Sequence, residues 1–168
     1  MAGALIVTAE IGASDLAWLD RLRRVYYPPE RNRLPAHLTM FHSIPPSAEG
    51  EVRRVLARLG AEPLPKASIQ GLMELGGGVA FRVVSTDLDR IRRDMAEALH
   101  GLLSSQDSGG WRPHVTIRNK VPPKESRAVI DRLAADFRPC ALAISGLGLH
   151  RYLGGPWETL AIHPFRGR

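Results

Sequence analysis

Cysteine is almost missing from this 168-residue chain. Cys140 stands alone, which excludes an intramolecular disulfide and a cysteine metal cluster and fits a reducing, cytoplasmic setting. No apolar run approaches the roughly 18 residues that a membrane span requires, so no membrane partner is expected. A secretory leader is lacking too: Met1 to Val7 is apolar but has no basic segment before it, and Glu10 follows soon after, so it reads as a first strand. His-x-His, His-Glu-x-x-His and paired cysteines are all absent, and no metal or other cofactor is expected. Gly-x-Ser-x-Gly is absent as well, and the lone Cys140 follows a proline at a strand start, so neither a serine nor a cysteine nucleophile has a signature. Gly76-Gly77-Gly78 runs on into strand-like Val79-Ala80-Phe81, where a phosphate-binding Walker loop would continue into Gly-Lys-Ser and a helix.

In bulk the chain is ordinary. Apolar residues make up 44% and charged residues 24%, close to soluble globular averages, which argues against long disorder. The length suits one well-buried domain. A formal charge of +6 and a pI of about 10.2 favour an acidic partner such as RNA or a nucleotide.

Against that background, one stretch occurs twice without a gap. His37-Leu38-Thr39-Met40-Phe41-His42-Ser43-Ile44-Pro45-Pro46 returns as His114-Val115-Thr116-Ile117-Arg118-Asn119-Lys120-Val121-Pro122-Pro123. With six His and five Thr, a single His-x-Thr should arise by chance roughly 0.2 times, so one copy would mean little. Two copies in register, each leading into Pro-Pro, are hard to reconcile with chance. On a strand, residues i and i+2 share a face, so His and Thr point together while Leu38/Met40 and Val115/Ile117 point into a core.

The repeat extends beyond the motif. Ala4 to Ala9 reads as a strand, and Ser14-Asp15 offers a cap to a helix with Leu16, Leu19, Leu22 and Val25 at helical spacing. The first motif is followed by a helix carrying Val52, Val55, Leu56 and Leu59, and then by a hairpin around Gly76-Gly77-Gly78. Asp87 is expected to cap a third helix with Leu88, Ile91, Met95, Leu99 and Leu102. The polar run Ser104 to Gly110 reads as a flexible loop. After the second motif come a helix with Val129, Ile130, Leu133 and Phe137 inward, and two strands flanking Gly154-Gly155-Pro156. Ile69-Gln70-Gly71-Leu72 matches Ile144-Ser145-Gly146-Leu147. The expectation is an α+β fold, a bilobal pseudo-two-fold duplicated unit with two mostly antiparallel sheets lining a central cleft and helices outside. One domain spanning 1–168 would be built from pseudo-repeats of about 1–76 and 77–168.

Two such strands meeting across an internal two-fold would bring two imidazoles and two hydroxyls onto one small anion. Histidine titrates nearest neutrality, so His37 and His114 can divide the work of base and acid in phosphodiester chemistry. Thr39 and Thr116 would donate hydrogen bonds to non-bridging oxygens. Strand parity puts Phe41, as a stacking residue, and Arg118 on the same face, and puts His150 and Tyr152 on the side that Gly146 and Gly148 leave open. The same parity makes His42 structural. Trp111 is either a stacking lid or a core anchor, and Arg31, Arg33, Arg112 and Lys120 form a possible basic rim.

The paired His37-to-Met40 and His114-to-Ile117 motifs resemble those of the two-histidine phosphoesterase superfamily, in its bacterial 2′-5′ RNA ligase and cyclic phosphodiesterase branch. That resemblance covers nearly the whole chain in length and repeat order. It implies a bilobal α+β fold and metal-independent opening of 2′,3′-cyclic phosphates to 2′-phosphates, with 2′-5′ cleavage or reversible ligation in some members. His37 and His114 become the acid/base pair, and Thr39 and Thr116 the phosphate donors. Branch members often carry an arginine where this chain has Asn119, with Arg118 one place earlier. The expected protein is a monomeric cytoplasmic enzyme acting on an RNA end or a nucleotide with a cyclic phosphate; the alternatives are a non-catalytic RNA-binding module and a small-molecule cyclic phosphodiesterase.

Overall fold

A computed structural model of the chain describes residues 3–119 and 121–168, so Lys120 of the expected rim lies outside the described residues. Strand β1 (Leu5–Ile11) is apolar on both faces because it ends up in the middle of a sheet; Leu5, Val7 and Ala9 are buried, and so are Ile6 and Thr8. Helix α1 (Ala13–Tyr26) is capped at Gly12, not at the expected Ser14-Asp15 pair. Asp15 sits one turn in, where its carboxylate accepts from Trp18 Nε1 at 2.9 Å and from the Ala143 backbone N–H at 2.8 Å. On this helix Leu19 is buried as expected, but Val25 is 68% exposed, and Arg23 takes a place on the buried stripe.

Strand β2 (Leu38–Ile44) carries the first motif and leads to helix α2 (Glu49–Leu59), whose Val52, Val55, Leu56 and Leu59 are buried as their spacing predicts. Strands β3 (Ser68–Glu74) and β4 (Val79–Val84) form the hairpin, with Gly76 at φ +80°, where a side chain would be strained. Helix α3 (Thr86–Ala98) buries Leu88, Ile91 and Met95. Its cap is Ser85, whose hydroxyl accepts from the Leu88 N–H, while Asp87 turns back to accept from the Lys66 N–H. Then come helix α4 (Ser105–Ser108), strand β5 (His114–Arg118) with the second motif, helix α5 (Pro123–Asp136), and strands β6 (Cys140–Ala141), β7 (Ile144–Tyr152) and β8 (Trp157–Pro164).

The strands form two antiparallel four-stranded sheets, ordered β2-β1-β7-β8 and β5-β4-β3-β6. The α+β class and the paired antiparallel sheets agree with the sequence reading. The sheets do not follow the two sequence halves, however: β3 leaves the first half to pair with β4, and β7 returns to pair with β1. Both motif strands are therefore sheet edges, and β2 and β5 approach each other where the sheets meet.

Ser104 to Gly110 is not the open loop that its polarity suggests. It winds into the one-turn α4, and Asp107 there is 1% exposed. The Asp107 carboxylate accepts from the backbone N–H groups of His42 and Ser43 and from His42 Nδ1, all at 2.9–3.0 Å. Burial alone would raise this carboxyl, but the donors from His42 and Ser43 outweigh it and hold it below the ordinary carboxylate value. Replacing Asp107 by Ala strands buried edge N–H groups and should destabilise the fold by about 2–4 kcal/mol, measured by urea denaturation. Because the folded-state value is depressed, its contribution is complete above the ordinary carboxylate range and is lost as pH falls through the lowered value. Asp107→Asn should accordingly show a shallower loss of stability between neutral and acid pH.

Candidate active site

Each motif begins on the same local device. His37 Nδ1 lies 2.8 Å from the Pro35 carbonyl, and His114 Nδ1 lies 2.7 Å from the Arg112 carbonyl, two residues upstream in both cases. A carbonyl only accepts, so Nδ1 carries the proton in both rings and Nε2 is left as the nitrogen available for chemistry. The Thr39 and Thr116 hydroxyls have no hydrogen-bond partner among the described residues, while their carbonyls are held by Trp111 Nε1 at 3.1 Å and Arg23 Nη1 at 2.7 Å.

The main cleft, of about 510 Å³, is lined by His37 and Thr116 together with Arg23, Tyr27, Arg31, Arg33, Asn119, Tyr152 and Trp157. A smaller pocket of about 170 Å³ is lined by Thr39 and His114 with His42, Arg92, Trp111 and Arg112. Each histidine thus shares a pocket with the threonine of the other half. The two imidazoles are near enough for the charge of His114 to act on His37. Among the described residues no three His, Cys, Asp or Glu side chains gather as a metal-holding group.

A family model described as the 2′-5′ RNA ligase superfamily matches residues 12–156. The chain belongs to that superfamily. Members of known structure share its fold over nearly the full length. The structure of TT0787 from Thermus thermophilus is 17% identical, with a TM-score of 0.68, covering 98% of this chain and 99% of that one. That of E. coli LigT complexed with 3′-AMP is 14% identical, with a TM-score of 0.69 and the same coverage, and LigT complexed with phosphate is 15% identical at 0.58, covering 98% of each chain. None of the curated proteins compared matches the chain.

In this superfamily member the two catalytic candidates from the first half and the second sit in different surroundings. The His37 ring lies 4.8 Å from the Trp157 ring, with Arg23, His114 and His150 nearby. Burial lowers its pKa most; the Pro35 hydrogen bond works the other way, and the like charges of Arg23, His114 and His150 add to the lowering, leaving it at about 4. His37 is therefore neutral at pH 7.

The expectations for Phe41 and Arg118 fail for different reasons. In β2, Thr8 pairs with Thr39 but Val7 pairs with Phe41, so Met40 is an extra residue; in β5, Ala80 pairs with Thr116 but Val79 pairs with Arg118, so Ile117 is extra. The bulge in β2 resets the alternation there, whereas β5 keeps it from His114 to Arg118. Phe41 consequently turns into the core at 0% exposure, under the Arg92 guanidinium, and cannot stack on a substrate base. Arg118 turns away to an ion pair with Glu125 at 2.7 Å and does not line either pocket; Asn119 lines the main cleft in its place. His42, expected to point inward by parity, is swung outward by the β2 bulge, and its role is to bind Asp107.

His150 is 7% exposed and both its ring nitrogens are engaged, Nε2 with Thr8 Oγ1 at 2.9 Å and Nδ1 with Thr159 Oγ1 at 3.0 Å. It lines a pocket of about 150 Å³ behind His37, not the main cleft. Gly148 leaves that space open, since a Cβ there would meet Thr8, Glu10 and His150 side-chain atoms. Tyr152 does line the main cleft, and so do Arg31 and Arg33; Arg112 lies in the smaller pocket. Trp111 is a packing anchor against the core.

The sequence reading passed over Arg23, Tyr27 and Trp157. Arg23 had a legible signal, since it stands four residues after Leu19 on the inward stripe of α1, where a charge is out of place. Trp157 had none, because only the β7–β8 pairing brings it over His37. In an NMR titration the His37 imidazole should show a midpoint near pH 4. The unfolded chain takes up this proton nearer 6.5, so His37 makes the fold lose stability as pH falls from about 6.5 toward 4; His37→Asn should flatten that part of the stability curve.

Proposed function

We propose that the protein is a metal-independent phosphodiesterase that opens 2′,3′-cyclic phosphates, at RNA ends or on nucleotides, to 2′-phosphates. The observation that carries this reading is the duplicated constellation itself: two imidazoles with Nδ1 fixed on a carbonyl, and two unengaged threonine hydroxyls, each imidazole sharing a pocket with the threonine of the other half. His37, held neutral, takes a proton from the attacking water through Nε2. The new P–O bond forms as the bond to the 3′-oxygen breaks, and His114 on the other side gives its proton to that oxygen. Thr39 and Thr116 donate to the non-bridging oxygens as charge builds on them.

The cationic and aromatic lining of the main cleft, with Arg31, Arg33, Tyr27, Tyr152 and Trp157, supports a nucleotide or RNA end as the ligand. So does the nucleotide bound in the similar LigT structures, 3′-AMP in one case and NADP+ in another. With a ribose hydroxyl in the place of water, the same groups would run 2′-5′ ligation in reverse of cleavage. The activity is carried on one cytoplasmic monomer built as two pseudo-repeats, about 1–76 and 77–168.

Alanine at His37 or at His114 should each lower kcat on a 2′,3′-cyclic nucleotide by about three orders of magnitude or more with Tm little changed, and activity should survive EDTA. Comparing a cyclic mononucleotide with a cyclic-ended oligonucleotide then identifies the preferred substrate. Salt-sensitive RNA binding with no turnover at any pH would leave only a binding module and sink the catalytic reading.

A further inference from the structure

Helix α1 buries two side chains, Leu19 and Arg23. A leucine there is ordinary. An arginine only 3% exposed is not, because a buried charge is costly unless a counter-charge meets it. Arg23 donates from Nη1 to the Thr116 carbonyl at 2.7 Å and from Nε to Asn32 Oδ1 at 3.3 Å, and its guanidinium carbon lies 4.4 Å from the centre of the Tyr27 ring. All of these partners are neutral, and among the described residues no carboxylate lies within ion-pair distance of Arg23. Asp20, one turn earlier, acts on it only through space, and its carboxylate is taken by the Ala36 N–H. A side-chain hydrogen bond with Tyr27 acts on it as well; a guanidinium has five N–H donors, and these three bonds leave others over.

Arg23 also lines the main cleft, beside His37 and Thr116. We propose that Arg23 is the cation that holds the reacting phosphate, and that the anion seated between His37 and Thr116 supplies the counter-charge that the fold itself does not provide. The Thr116 carbonyl, the Asn32 amide and the Tyr27 ring fix the fork in advance, so little is lost on binding. Burial draws Arg23 down from its ordinary value, but a guanidinium stays charged at neutral pH, and that charge is among the groups that keep His37 unprotonated. Binding an anion there neutralises it, so His37 becomes more basic at the moment it must take a proton.

This assignment rests on the phosphoesterase reading for the anion's identity, so its test needs no turnover. Inorganic phosphate is titrated into the full-length protein while the side-chain ¹⁵Nε resonance of Arg23, identified by its loss in Arg23→Lys, is followed together with the His37 and His114 ring signals. The expected result is that Arg23 and both histidines shift with one saturation curve, and that phosphate raises the His37 titration midpoint. Arg23→Gln should weaken phosphate binding by about tenfold or more, with Arg23→Lys intermediate. Histidine shifts with an unmoved Arg23 signal, or a folded Arg23→Gln protein that binds phosphate as the parent does, would overturn the Arg23 assignment alone. If no signal moves, the phosphate reading of the cleft falls with it. The wild-type titration decides the matter even if Arg23→Gln does not fold.

Discussion

Both motif strands are sheet edges, and an edge strand has a row of backbone donors and acceptors that must find partners away from its sheet. Side chains from elsewhere supply them. On β2, Trp111 bonds the Thr39 carbonyl, Arg92 the Met40 carbonyl at 3.0 Å, and Asp107 the His42 and Ser43 N–H groups; on β5, Arg23 bonds the Thr116 carbonyl. Arg92 also ties the Asp107 carbonyl at 2.8 Å, so α3, α4 and β2 form one braced unit. The edges are thereby blocked against further strand pairing while the His and Thr side chains stay open to the cleft.

Much of this was legible in the chain. Local periodicity located α2 and α3 and the β3–β4 hairpin, because Val52, Val55, Leu56 and Leu59, or Leu88, Ile91 and Met95, answer to a single rule of one buried face. The motif pair was legible because a repetition needs no structure to be seen. What failed was inference past the threonine. Phe41 was placed by strict alternation, and one extra residue, Met40, defeats it without leaving a mark in composition; Arg118 keeps its parity but is held by Glu125, which no local pattern reveals. Asp107 was unreadable for another reason: a polar segment looks like a loop until the long-range partners, His42 and Ser43, are known to need it.

The internal symmetry holds for backbone and motif and stops at their neighbours. Trp157, Arg23 and His150 crowd His37, whereas His114 opens onto a smaller pocket with Arg92, Trp111 and Arg112. The two motif imidazoles thus differ through residues outside the motifs, which is also where the cleft's volume and aromatic lining differ from those of the smaller pocket.

The exchange of strands between the halves bears on how the protein comes into being. Leu5 pairs with Arg151, far away in sequence, so the central strand of the first sheet has one neighbour early and waits for the other until β7 has been made. Contacts of such sequence separation are slow to close. Trp157 follows later still, and its ring completes the wall against His37. A chain that lacks β8 therefore carries both motifs without the Trp157 wall against His37.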